Sequence, residues 1–141
     1  MLRYALVVVA IACVLGCVVA SDESAWLTYE PTVVDLTGQL GSELHYGPPN
    51  YGEDPDHDAK VEVLVLTLTS PVAVRGDVSG PLNRRTVENI KKVQLIFGTA
   101  KTPDRTLMGE RVRVRGTLSE AESGHHYTDV VLSVRGISKV K

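Results

Sequence analysis

Cysteine, methionine and the larger aromatic rings are scarce in this 141-residue sequence, which has two Cys, two Met, one Trp and one Phe. Both cysteines, Cys13 and Cys17, lie in an apolar leader, so the remainder has no disulfide and no thiol chemistry. Its stability must come from buried aliphatic side chains. Catalytic signatures are missing as well: the chain has no GxSxG elbow, no P-loop, and neither an HxxxH nor an HExxH spacing. No catalytic residue, metal ligand set or cofactor is therefore nominated, and the protein is expected not to be an enzyme. Charge of one sign is lacking too. Lys and Arg number 15 against 17 Asp and Glu, and without Arg3 the rest of the chain is net −3 with histidine neutral. A nonspecific nucleic-acid binder usually carries a basic excess, so this balance argues against that partner.

What is present begins with the leader. Arg3 followed by the apolar run Ala5 to Leu15 has the form of a signal peptide. Val18-Val19-Ala20 before Ser21 predicts cleavage after Ala20, giving a leader over 1–20 and an exported, periplasmic or secreted domain. Val14-Leu15-Gly16-Cys17 resembles a lipobox, and lipidation at Cys17 is the alternative, the one route by which a membrane would be involved.

Residues 21–31 read as a polar lead-in, with Trp26 expected to cap an apolar end of the fold. From 32 to 141 the pattern is of strands. Thr32 to Leu44 is the first, with Gly38 and Gly41 marking a bend or bulge. Val61 to Thr69 is the second, apolar on both faces and so expected to be central, ending at Ser70-Pro71 with Val72 to Arg75 as a short extension. Thr86 to Lys92 is expected to form a helical turn and Val93 to Phe97 the third strand. Thr102 to Gly109 reads as a short helix capped by Thr102, with Pro103 first and Gly109 as its stop. The last two strands flank Ser119 to His126: Val112 and Val114 alternate with Arg111, Arg113 and Arg115, and Val130, Leu132 and Val134 return. One register places Arg115 opposite Asp129.

Strand, strand, strand, short helix, strand, strand is the order of the five-stranded oligonucleotide/oligosaccharide-binding (OB) barrel, a Greek-key all-β fold. A β-sandwich is the alternative, although it usually needs about seven strands. In the barrel, the first-to-second-strand and fourth-to-fifth-strand loops bind ligands. All four histidines fall in those loops, His45 and His57 in one and His125 and His126 in the other, accompanied by Tyr46, Tyr51 and Tyr127. Barrel construction does not require this clustering, and these seven residues are the candidate ligand-binding set. Imidazole suits zinc, copper or nickel, so a metal-binding protein or metal-dependent enzyme using His45, His57, His125 and His126 is an alternative. Adjacent His125 and His126, however, point to opposite sides when extended. Asp54, Asp56 and Asp58 fail as a calcium loop, because Ala59 and Val65 stand where Gly and Glu are needed. The Arg111, Arg113, Arg115 stripe suits a solvated outer face, or an anionic ligand.

The chain also resembles a bacterial family of small exported proteins catalogued as a domain of unknown function. The likeness lies in Tyr29-Glu30-Pro31, Val33-Val34, Leu36-Thr37-Gly38, Gly47-Pro48-Pro49-Asn50-Tyr51, Val93-Gln94-Leu95, Leu107-Met108-Gly109, Val112 and Val114 with Gly116-Thr117-Leu118, and Gly124-His125-His126 followed by Thr128 and Val130 to Leu132. The resemblance implies a secreted or periplasmic β-rich domain and supplies no activity. The expected function is a monomeric, non-enzymatic binding module of the cell envelope, its ligand a peptide, a glycan or a protein partner. A lipid-anchored structural protein of the envelope is the further alternative.

Overall fold

The computed structural model describes residues 26–141, so the leader, the Ala20 cleavage site and Cys17 lie outside the described residues. Strands run in the order β1 (Trp26–Thr28), β2 (Val33–Tyr46), β3 (Lys60–Arg75), β4 (Val87–Ile96), β5 (Arg111–Glu120) and β6 (Val130–Lys139). A single 3-10 turn, Arg105–Leu107, separates β4 from β5. The sheet order is β1-β3-β2-β5-β6-β4, and β4 also pairs with β3. Strands β3, β2, β5, β6 and β4 thus close into a ring, which removes most of the free sheet edge. All pairings within it are antiparallel except β4 with β6. The fold is a small all-β barrel with the OB strand order, as the element order predicts.

Period-two alternation builds the core. Val34, Leu36 and Leu40 of β2 face Leu66 of β3, Val93 and Leu95 of β4, Val112 and Val114 of β5, and Leu132 of β6. Closure needs β2 to bend sharply, and Gly38 sits at the bend, paired with Leu68 on one side and Val112 on the other. A β-carbon there would lie 2.2 Å from the Thr67 carbonyl oxygen, so only glycine lets the strands approach so closely.

Four local expectations are corrected. Thr86 to Lys92 is strand, because Val87 and Ile90 pair with Val74 and Val72 on the continuation of β3. The register skips there, and Asn89, at φ 54°, absorbs the extra residue as a bulge. Ser70-Pro71 does not end β3. It sits in a stretch between Thr67 and Val72 without a β4 partner, where a missing N–H costs no ladder bond. The short helix is one 3-10 turn capped by Asp104, whose carboxylate accepts from the Thr106 amide at 2.9 Å, and Thr102 is not its cap. Arg115 lies opposite Gly136 and reaches Asp35 of β2 at 3.6 Å, while Asp129 pairs with Arg85. That register is longer than the hairpin pattern suggests because Tyr127 to Asp129 belong to the loop.

Trp26 does not cap the barrel. It is 49% exposed on β1, which adds to β3 in parallel, and the Arg75 guanidinium lies 5.0 Å from its ring centroid. The buried aromatic is Tyr29, whose hydroxyl donates to the Arg85 carbonyl at 2.8 Å. Burial, and then the Glu120 carboxylate, raise its pKa.

Candidate functional site

A second buried layer lies outside the barrel. Val63, Val65 and Val131 are buried yet belong to the outward parity of their strands, opposite Leu66 and Leu132. Val65, Gln94 and Val131 stand side by side in one cross-strand row. Gln94 is itself buried, and its amide makes two bonds to the β5–β6 loop. Nε2 donates to the His125 carbonyl at 3.0 Å, and Oε1 accepts from the Tyr127 amide at 2.7 Å. The loop therefore lies across the outer face of β3 and β4, pinned at its middle by one side chain. Thr128 continues the anchorage, its hydroxyl accepting from the Gln94 amide and donating to the Val130 carbonyl.

The loop from β2 to β3 is organised by an acid. Its neck closes through Gly47 N–H to Ala59 O at 2.6 Å and Ala59 N–H to Pro48 O at 2.9 Å. Inside, the buried Asp58 carboxylate accepts from the backbone amides of Asn50 at 2.7 Å, Gly52 at 2.7 Å and Asp54 at 3.4 Å. The three aspartates that resemble a calcium motif thus serve another purpose: one of them bonds the turn's own amides. Burial pushes the Asp58 carboxyl upward, but the amide donors outweigh it and hold the group below its ordinary range. A carboxyl with a depressed native pKa stabilises the fold above its unfolded value, near 3.9, and that contribution is lost as the pH falls through the lower native value. The amide resonances of Asn50 and Gly52 are accordingly expected to stay fixed from pH 7 to about pH 4 and to move only below it. A transition above the ordinary aspartate value in an NMR titration would contradict the assignment.

These anchors bring five of the seven predicted residues into contact, and two of the five, His45 and Tyr46, belong to the end of β2 rather than to the loop after it. The His45 and Tyr127 rings stack with centroids 4.3 Å apart and planes inclined by 16°, and the Tyr127 hydroxyl donates to the Tyr46 carbonyl at 3.1 Å. Tyr51, held at φ 52°, meets the His125 ring edge-on at 5.7 Å, its hydroxyl 3.5 Å from Nε2. Gly124 permits that approach, since a β-carbon on it would lie 3.2 Å from the Tyr51 ring. His126 turns away from His125, and its Nδ1 accepts from the Glu122 amide at 3.0 Å. His57 stays apart from this set and bonds Asp54 within its own turn at 2.9 Å. Behind His45, Glu43 bonds both its Nε2, at 3.1 Å, and Lys92 Nζ. The Lys92 bond lowers the Glu43 pKa against partial burial, with His45 adding to it.

Among the described residues, no group of three or more His, Cys, Asp or Glu side chains is placed to hold a metal ion. The four histidines face carboxylates, ring partners and backbone rather than one another, so the metal alternative finds no ligand cluster in their geometry.

Beside the loop lies an opening of about 600 Å³, lined by Val87 to Lys92 of β4 on one side and Ala121 and His126 to Asp129 on the other. It exists because β4 pairs with β6 only from Gln94 to Ile96. Before Gln94 the two strands diverge, leaving the edge of β4 uncovered. Gln94 stands in the Val93-Gln94-Leu95 element of the family likeness, but neither its anchoring role nor this edge is read from the sequence. A lone glutamine in an apolar strand was the available signal for the former.

The molecule is thus a closed five-stranded barrel of OB topology, whose fourth-to-fifth-strand loop is folded back on its own wall. The family model described as "Domain of unknown function (DUF4431)" matches residues 92–138, about a third of the chain, from the second half of β4 almost to the end of β6. That segment holds Gln94 and the Gly124-His125-His126 loop it anchors. No curated protein and no solved structure matches the chain.

Proposed function

We propose that this is an exported, non-catalytic binding domain that takes an extended peptide segment of a partner protein into the groove between β4 and the β5–β6 loop. One observation carries the reading: the edge of β4 from Val87 to Val93 is unpaired on the side of the groove. An open strand edge offers a row of N–H and C=O groups that a peptide can complete as an added strand. His126, Tyr127 and Thr128 form the opposite wall and would contact alternate side chains of that peptide. Glycans fit less well, because they are usually held by stacking on exposed rings, whereas the Tyr127 ring is already stacked on His45. The export reading is supported by the leader pattern over 1–20.

The test places a photo-crosslinking side chain at Glu88, exposed on the groove edge, and another at Arg113 on β5, and exposes each protein to envelope extract. A defined partner is expected to crosslink from position 88 and not from 113, and Ala121→Trp, which fills the groove, is expected to reduce the yield at least tenfold. Equal crosslinking from both positions, or no effect of the tryptophan, would exclude the groove.

A further inference from the structure

The outer face of β5 carries three exposed arginines in line, Arg111, Arg113 and Arg115. Successive outward positions on a strand are about 6.6 Å apart. The structure adds what the sequence cannot supply, the neighbours on either side. Arg113 lies between Thr37 of β2 and Ser138 of β6, and Arg111 lies beside Gln39. Gln39 is turned to the Gly109 carbonyl, to which its Nε2 donates at 3.0 Å. Arg115 lies between Asp35, 3.6 Å away, and Gly136. Among the described residues, Arg111 and Arg113 have no acidic partner, and the only carboxylate in these cross-strand rows is Asp35, at one end.

We infer that this stripe binds a linear polyanion whose backbone phosphates are joined by short neutral bridges. Guanidinium groups match phosphate oxygens with paired donors, and adjacent outward arginines meet charges that recur along an extended chain. The shape of the patch selects the class. It is a single file of arginines along β5, bordered by Thr37 and Gln39 on one side and by Ser138, Gly136 and the exposed bulge residue Arg135 on the other, so it fits a chain better than the broad headgroup plane of a membrane. It also lacks aromatic rings, on which the bases of a single-stranded nucleic acid would stack. A phosphodiester polymer without bases meets the face on charge alone. This inference stands apart from the peptide groove, which involves β4 and the β5–β6 loop.

Fluorescence anisotropy with labelled poly(glycerol phosphate) tests it. Wild-type protein is expected to bind with an affinity that falls as salt rises. R111Q/R113Q is expected to weaken binding at least tenfold and to reduce the slope of log affinity against log salt by roughly one to two. The charge-matched control K60Q/K101Q, altered at exposed positions outside β5, is expected to leave both unchanged. Equal weakening by the two variants would reduce the effect to net charge and overturn the proposal. Tighter binding to a single-stranded oligonucleotide, or to anionic vesicles at matched charge concentration, would overturn the polymer class. Since both arginines are exposed, an unchanged circular dichroism spectrum is expected for R111Q/R113Q, and an altered one is met by repeating the measurement with R113Q alone.

Discussion

Gly38→Ala is expected to destabilise the domain by about 3 kcal/mol, at the upper end of the usual cost of overpacking. Melting temperature should fall by more than about 10 °C for a domain of this size. The added methyl group would stand 2.2 Å from the Thr67 carbonyl oxygen, 2.8 Å from its carbonyl carbon and 3.0 Å from the α-carbon of Leu68. All three are backbone atoms in the ladder between β2 and β3, so no rotamer change relieves the clash. The strands must separate at the bend where β2 leaves β3 to continue beside β5, and that bend closes the ring. Gly38 does not have a positive φ, so the cost is one of space rather than of backbone strain. Gly41→Ala is the internal control: its β-carbon would find only the Val65 side chain, at 3.8 Å, an ordinary contact. That variant is expected to stay within about 1 kcal/mol of wild type. Thermal or urea unfolding of the two proteins checks the pair, and similar losses would mean that glycine matters here only for general flexibility.

The contrast between these glycines shows how far the sequence could be read. Gly38 and Gly41 both interrupt the same apolar alternation, and their residue types alone make them equivalent candidates for a bend. Which one is essential depends on where β3 and β5 cross β2, a long-range property that local pattern does not encode. The ring itself was legible because its signals are local: alternating valines and leucines in β2, β3, β5 and β6, and loops with Pro and Gly between them. Where two signals competed, tertiary pairing decided. Thr86 to Lys92 has charged residues at helical spacing, yet the uncovered continuation of β3 recruits Val87 and Ile90 as strand. Asp129 is a sensible partner for Arg115 only if the hairpin is short, and the loop's packing on the barrel wall lengthens it.

The site divides in the same way. That imidazoles and phenols from the end of β2, the loop after it and the β5–β6 loop would meet follows from the strand order, since OB topology brings those segments to one end. Their pairing does not: His45 with Tyr127, and Tyr51 with His125, depend on the loop lying flat on β3 and β4. His57 carries the same residue type and lies in the same loop as Tyr51, but faces Asp54 in its own turn. Residue type marks the candidates, and the backbone path chooses among them.

That path rests on Gln94, and removing its amide is expected to cost about as much as the change at Gly38. In Gln94→Leu the side chain keeps much of its volume and still suits the buried row between Val65 and Val131. What it loses is the donor to the His125 carbonyl and the acceptor for the Tyr127 amide. A buried backbone group left without a partner costs about 1–3 kcal/mol, so two of them, partly rescued by water, place the loss at about 2–4 kcal/mol. Gln94→Glu separates the two bonds. An ionised carboxylate still accepts from Tyr127 but faces the His125 carbonyl with no proton to donate, so the variant should be more stable at low pH than at neutral pH relative to wild type. The sign follows from linkage: a carboxyl whose protonated form makes the native bond has a raised native pKa, and its destabilisation appears as the pH rises through the unfolded value. Hydrogen exchange locates the effect. Residues 121–129 are expected to exchange faster in Gln94→Leu while the barrel amides of β2 and β5 keep their relative protection, because the barrel core does not include Gln94. Uniform loss of protection throughout the barrel would show that the outer layer is part of the folding core, and the loop could then no longer be treated as a separately anchored element.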